Sequence, residues 1–243
     1  MEEFVGVTAK LYDDLIERNQ HILIAGMTGS GKSVMLNGMI NSVLYKRADK
    51  HQLLLIDLKR VEFSKYRNTA HCIAFAKTIP EIWRTLSYLS DLIEERFEEM
   101  EEKGQTEWGG PIIHVFVDEM AELMLKGKEL ASKFQSICEI GRAAGIQVIC
   151  ATQCPLARVI PTEIKVNFPI IVGLHTSSAR HSRNILEVNG CENLPMYGEA
   201  LIQYPTVGIK RVKVPMIDEE WLCKIIEADQ RVEEKEVIYD EDK

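Results

Sequence analysis

The stretch Gly26-Met27-Thr28-Gly29-Ser30-Gly31-Lys32-Ser33 decides how the rest of the chain is read. It fits Gly-x-x-x-x-Gly-Lys-Ser, the Walker A pattern, and lies between an apolar run of strand type at residues 21–25 and a helix expected over 32–45. Gly26, Gly29 and Gly31 let the backbone curl, so that the N–H groups of the loop, from Met27 and Thr28 through Ser30 to Val34 at the helix start, can face phosphate oxygens. The helix that opens at Lys32 adds the partial positive charge of its first turn. Lys32 would neutralise β and γ phosphates, and Ser33 would set its hydroxyl on Mg²⁺. A glycine-rich turn with no ligand is the plainer alternative.

Working outward, residues 112–119 (Ile-Ile-His-Val-Phe-Val-Asp-Glu) form an apolar run ending in two adjacent carboxylates. Asp118 at the strand end would hold the Mg²⁺ shell, and Glu119 would polarise a water for in-line attack on a γ-phosphate. Alone, the pair is an ordinary helix start; beside a Walker A loop it has the composition of a hydrolytic site. Gln153 ends the next apolar run, where a polar side chain can reach a γ-phosphate or simply bond its own loop.

Further strands are expected at residues 52–57, 146–152 and 169–174, and weaker ones at 199–204 and 210–214 as an antiparallel addition at one edge. The runs without polar alternation read as strands buried on both faces of a parallel sheet. Helices are expected from Thr78 to Gly104, from residue 119 to about 141, over 179–187, and from Asp218 onward. Thr78 and Glu81 have capping-box spacing, and Ile82, Leu86, Leu89, Ile93, Phe97 and Met100 repeat at helical intervals. Strand–helix alternation of this kind gives an α/β domain with crossover connections. One domain is expected over residues 1–231, with a lead-in helix at 1–19.

Charge narrows the possible partners. Twenty-nine Lys and Arg against 37 Asp and Glu give a net charge of −8. Six acids and two lysines fall within residues 232–243, so half of that excess sits in a tail expected to be disordered. A body this acidic could bind nucleic acid only through a local basic patch. No apolar run approaches the ~18 residues of a membrane span, and the acidic start has no leader-like core, which points to a cytoplasmic protein. The six cysteines are scattered without a Cys-x-x-Cys pair; reduced, buried thiols fit better than a metal site at Cys150 and Cys154.

In these residues the chain resembles the motor core of FtsK/SpoIIIE-type DNA translocases. The resemblance runs through Ile24-Ala25-Gly26 to Lys32-Ser33-Val34, then Leu55-Ile56-Asp57 followed by Lys59, Val61, Glu62 and Tyr66. It continues through Val117-Asp118-Glu119, Gly141-Arg142-Ala143-Ala144-Gly145-Ile146, Ala151-Thr152-Gln153, Ser182-Arg183 and Gly198-Glu199-Ala200-Leu201. It implies an α/β fold of the RecA-like P-loop NTPase type, with a mainly parallel central sheet, helices on both faces and a small antiparallel edge. It also implies an ATPase using ATP and Mg²⁺ that assembles as a homo-oligomer, usually a hexameric ring, around double-stranded DNA.

In such rings Arg142 would be the arginine finger reaching a neighbouring subunit's γ-phosphate; a helix-end arginine complementing the dipole is the alternative. DNA-gripping loops would carry Arg158 and Lys165, and Arg180 and Arg183, unless these are plain surface charges. Cys154 stands where the family has a basic residue, and Leu58 where a proline is frequent. The short lead-in implies a motor without the membrane segments or winged-helix reader of long chromosomal translocases, similar to relatives on plasmids, phages or conjugative elements. Similar ATPase modules power protein secretion, an alternative that pore chemistry discriminates, since phosphate tracking gives DNA-stimulated hydrolysis that falls steeply with salt; a nucleotide-binding scaffold is a third reading, weakened by the presence of Lys32, Ser33, Asp118 and Glu119 together.

Overall fold

The structure, a computed structural model, describes residues 2–153 and 162–230, with side chains from Lys10 onward. In chain order the elements are α1 (Glu2–Glu17), β1 (Ile22–Ala25), α2 (Lys32–Leu44), β2 (His51–Ile56), β3 (Cys72–Ala76), α3 (Ile79–Lys103), β4 (Ile112–Val117), α4 (Met120–Met124), α5 (Lys128–Ile140), β5 (Ile146–Thr152), α6 (Thr162–Lys165), β6 (Ile170–Gly173), α7 (Ala179–Leu186), β7 (Glu199–Tyr204), β8 (Gly208–Lys213) and α8 (Glu219–Ala228). All eight strands join one sheet in the order β3-β2-β4-β5-β1-β6-β7-β8. The first six run parallel, and β7 and β8 add antiparallel at one edge.

The apolar runs behave as their composition dictates. Along β2, Leu53 and Leu55 enter one core while Leu54 and Ile56 enter the other. The first core is closed by α1, α2 and α8 through Tyr12, Leu15, Met35, Leu36, Met39 and Leu222. The second is closed by α3 and α5 through Ile82, Leu86, Leu89, Ile93, Phe134 and Ile137. Helices therefore cover both faces, and a strand buried on both faces has no use for polar alternation. The start of α3 is the expected capping box: Thr78 accepts from the Glu81 N–H, and Glu81 accepts from the Thr78 N–H at 2.9 Å.

Two expectations need correction. The helix expected from 119 to 141 is two helices, separated at Leu125–Gly127, where Gly127 adopts φ 144°, a value closed to the other residues of a helix. The edge strand β3 was not anticipated; its five residues alternate between buried and half-buried positions and lie outermost in the sheet. Among the described residues no helix is long and apolar enough to cross a membrane. The tail at 232–243 lies outside the described residues.

Candidate nucleotide site

A parallel sheet brings the carboxyl ends of its strands to one edge, and ligands bind there where the strand order reverses. Here the reversal falls at β1, which lies between β5 and β6. The loop after β1 is Gly26–Ser33, with Gly29 at φ 79° and Gly31 at φ 97°. These left-handed values turn the chain into the first turn of α2, which opens at Lys32.

Lys32 is 9% exposed, and its ammonium donates to the carbonyls of Gly26 and Met27, both at 2.8 Å. Burial lowers its pKa, while Glu119 and Asp118 pull the other way. Ser33 Oγ donates to Glu62 Oε1 at 2.7 Å. Ser30 Oγ is buried and has no hydrogen-bond partner among the described residues.

The ends of β4 and β5 supply the opposite wall. Glu119 Oε1 accepts from Thr152 Oγ1 at 2.8 Å, and both Glu119 oxygens lie 3.2 Å from the Gln153 N–H. Lys59 Nζ stands 3.9 Å from Glu119 Oε2. Gln153 Oε1 accepts from Thr28 Oγ1 at 2.8 Å, so one chain of hydrogen bonds connects the crest of the glycine loop to Glu119. Asp118 is pushed up to about 6, first by burial and then by the charges of Glu62 and Asp57. Asp57 itself is buried and fixed by the N–H groups of Arg60 and Phe63.

The site residues thus divide. Lys32, Ser33, Asp118, Glu119 and Gln153 come together at one edge. Arg142 does not: it is exposed in the turn leading into the amino end of β5, about 20 Å along that strand from the loop. Lys165 is half-buried and turned toward α7, where it donates to the Asn184 carbonyl and pairs with Glu187 at 3.6 Å. Arg180 and Arg183 are exposed on α7, and Arg183 bonds the Asn189 side chain. Arg158 lies outside the described residues.

Sequence reasoning overlooked Glu62 and Lys59 as site residues. Both follow β2, and only the adjacency of β2 and β4 delivers them to Ser33 and Glu119. The donor set, a lysine, two hydroxyls and crowded carboxylates, suits a triphosphate with a hard divalent cation, and the orphaned Ser30 hydroxyl is one more group for an oxygen ligand to satisfy.

A switch-point glycine loop, a lysine at its helix start and an acidic strand end two strands away define the P-loop ATPase class of α/β fold. The FtsK/SpoIIIE family model matches residues 3–110 of the chain. It is 35% identical to the DNA translocase FtsK of Helicobacter pylori, over 93% of this chain and 29% of that protein. It is 36% identical to the DNA translocase FtsK of Streptococcus pneumoniae, over 82% of this chain and 29% of that protein. The chain therefore spans less than a third of the length of these relatives. Among solved structures, the pCW3 conjugation coupling protein TcpA in its monomer form with ATPγS superposes with a TM-score of 0.75 at 24% identity, covering 86% of this chain and 65% of that one. The cytoplasmic domain of the Thermomonospora curvata type VII secretion ATPase EccC gives 0.71 at 22% identity, covering 90% of this chain and 29% of that one. At these identities the two structures speak for the fold.

Proposed function

We propose that the chain is an ATP-hydrolysing motor that moves double-stranded DNA and works as a homo-oligomeric ring, most simply a hexamer. The observation that carries the chemistry is the linkage Thr28–Gln153–Glu119, which ties the glycine loop to the carboxylate at the neighbouring strand end. The relatives, DNA translocases by name, support the cargo.

In this reading Lys32 leaves the loop carbonyls for the β and γ phosphates of ATP. Ser33 and Asp118 hold Mg²⁺, which supplies charge neutralisation across the phosphates. Ser33 must then release Glu62. Glu119, oriented by Thr152 and the Gln153 N–H, accepts a proton from the water that attacks the γ-phosphorus as its bond to the ADP oxygen breaks. Gln153 reports the state of the γ-phosphate to the loop through Thr28. Arg142, remote from its own chain's site, acts on the site of an adjoining subunit, where a cation offsets charge developing on the transferred group. Arg180 and Arg183 on α7, with Arg158, line the DNA path; a ring multiplies a few such charges around the duplex, which reconciles an acidic chain with a polyanionic track.

The test is the ATPase rate with and without linear duplex DNA, across a salt series. DNA should stimulate turnover, and the stimulation should fall steeply with salt. Indifference to every nucleic acid, with stimulation by a secretion-substrate peptide, would replace the DNA motor with a polypeptide motor. In mixtures, Arg142→Ala subunits should poison parent subunits; full activity of pure Arg142→Ala protein would remove the finger.

A further inference from the structure

The sheet order also fixes which way a nucleotide lies in this site. β1 has two flanks. Toward β5 and β4 stand Gln153, Asp118 and Glu119, the groups of the γ-phosphate end. The nucleoside must therefore leave on the other flank, beside β6 and β7.

That flank carries a built surface. The His175 carbonyl, just past β6, accepts the Met27 N–H of the glycine loop at 3.0 Å. His175 Nδ1 donates to the Leu194 carbonyl at 2.7 Å. Leu194 is buried with Ala25, Ile171, Ile185, Leu186 and Cys191, which anchors the segment to the sheet. Pro195 follows and restricts the backbone. The next two side chains, Met196 and Tyr197, are large and turned to solvent, 38% and 71% exposed. Met196 Cε lies 3.5 Å from the place a Cβ on Gly29 would occupy, so this thioether rests at the crest of the loop. No hydrogen bond or ring contact within the described residues engages the Tyr197 ring. A segment fixed this firmly at its base, ending in an unengaged aromatic and a polarisable thioether next to a phosphate cradle, has the chemistry of a surface for a flat heteroaromatic ring.

We infer that Met196 and Tyr197 form the platform on which the adenine of bound ATP packs. The inference rests on the nucleotide reading above and extends it to the base. Stacking of this kind reads the ring face rather than its hydrogen-bonding edge.

Calorimetric titration of a non-hydrolysable ATP analogue and of inorganic tripolyphosphate, into the whole chain and its variants, separates the base from the phosphates. Tyr197→Ala should weaken the ATP analogue about tenfold and leave tripolyphosphate unchanged. Tyr197→Phe should retain parent affinity, and Met196→Ala should lose about threefold for the analogue alone. Parent affinity of Tyr197→Ala for the analogue, or equal weakening of both ligands, overturns the platform. If the parent chain binds neither ligand, the nucleotide reading itself falls, and the platform with it.

Discussion

The strands β4 and β5 are polar at both ends, and the two ends are built on opposite terms. At the amino ends, His114 Nδ1 bonds Gln147 Oε1 at 2.7 Å, and His114 Nε2 lies 3.0 Å from His51 Nδ1. Gln147 Nε2 donates onward to the carbonyls of Leu15 in the last turn of α1 and of Gln20 just before β1. His21 Nδ1 accepts the Val148 N–H at 2.9 Å. This is neutral polarity: burial holds His114 at about 3 and His21 at about 4, so both imidazoles are uncharged at physiological pH. With Gln147 accepting, His114 carries its proton on Nδ1, and His51 supplies the next one. At the carboxyl ends the same two strands gather Asp118 and Glu119 beside Glu62 and Asp57, with Lys32 and Lys59 as counter-charges. One end is closed by hydrogen bonds that cross from β2 to α1; the other keeps charges crowded in partial burial, an arrangement a polyanion with a cation completes. The first end serves stability and the second serves binding.

The largest effect should come from removing the main cation of the binding end. Lys32→Ala should lose nucleotide binding and lower hydrolysis by about 10³-fold or more, measured by titration and by phosphate release. Next, Glu119→Gln should keep ATP affinity while turnover falls roughly 10²- to 10³-fold. Hydrolysis at the parent rate would show that Glu119 only braces Thr152 and Gln153.

The opposite end answers to acid. The unfolded chain protonates its histidines near 6.5, whereas His114 and His21 in the folded chain resist protonation down to about 3 and about 4. Unfolding therefore takes up protons below pH 6.5; the stability these residues contribute is complete above that pH and drains away as pH falls toward their folded values. Urea unfolding should lose about 2 kcal/mol per histidine between pH 6.5 and pH 5. His114→Gln should flatten that slope by about one proton, a change ATP turnover at pH 7.5 should not share.

The contrast also explains what the sequence disclosed. Signals contained in a few consecutive residues were legible: the glycine loop, the Thr78–Glu81 box, and the unbroken runs that became β2, β4 and β5. Signals that depend on strand order were not. Glu62 follows β2 by six residues and acquires meaning only because β2 lies beside β4. The His51–His114–Gln147 chain needs three adjacent strands to exist. β3 is continuously apolar, Cys72-Ile73-Ala74-Phe75-Ala76, but a run of five with two alanines is too short to stand out beside the helix that follows, and the break at Gly127 hid inside an amphipathic pattern that continues on both sides of it.

The smallest expected effect isolates the cost of keeping charge at the binding end. Asp118 titrates near 6 in the folded chain, above the usual aspartate value of 3.8, because burial and the neighbouring carboxylates disfavour its ionised form. A raised folded value means that ionisation weakens the fold: the penalty is full above pH 6 and vanishes as pH falls through 3.8. Asp118→Asn removes the charge and keeps the shape. At pH 7 and without nucleotide, the variant should be more stable than the parent by about 1 kcal/mol once solvent screening of this half-buried group is allowed for. At pH 4 the gain should be gone, and at every pH hydrolysis should be severely impaired. A variant as stable as the parent at pH 7 would mean that Lys59 and Lys32 already balance Asp118, and that the two ends of the sheet differ less in electrostatic cost than their geometry implies.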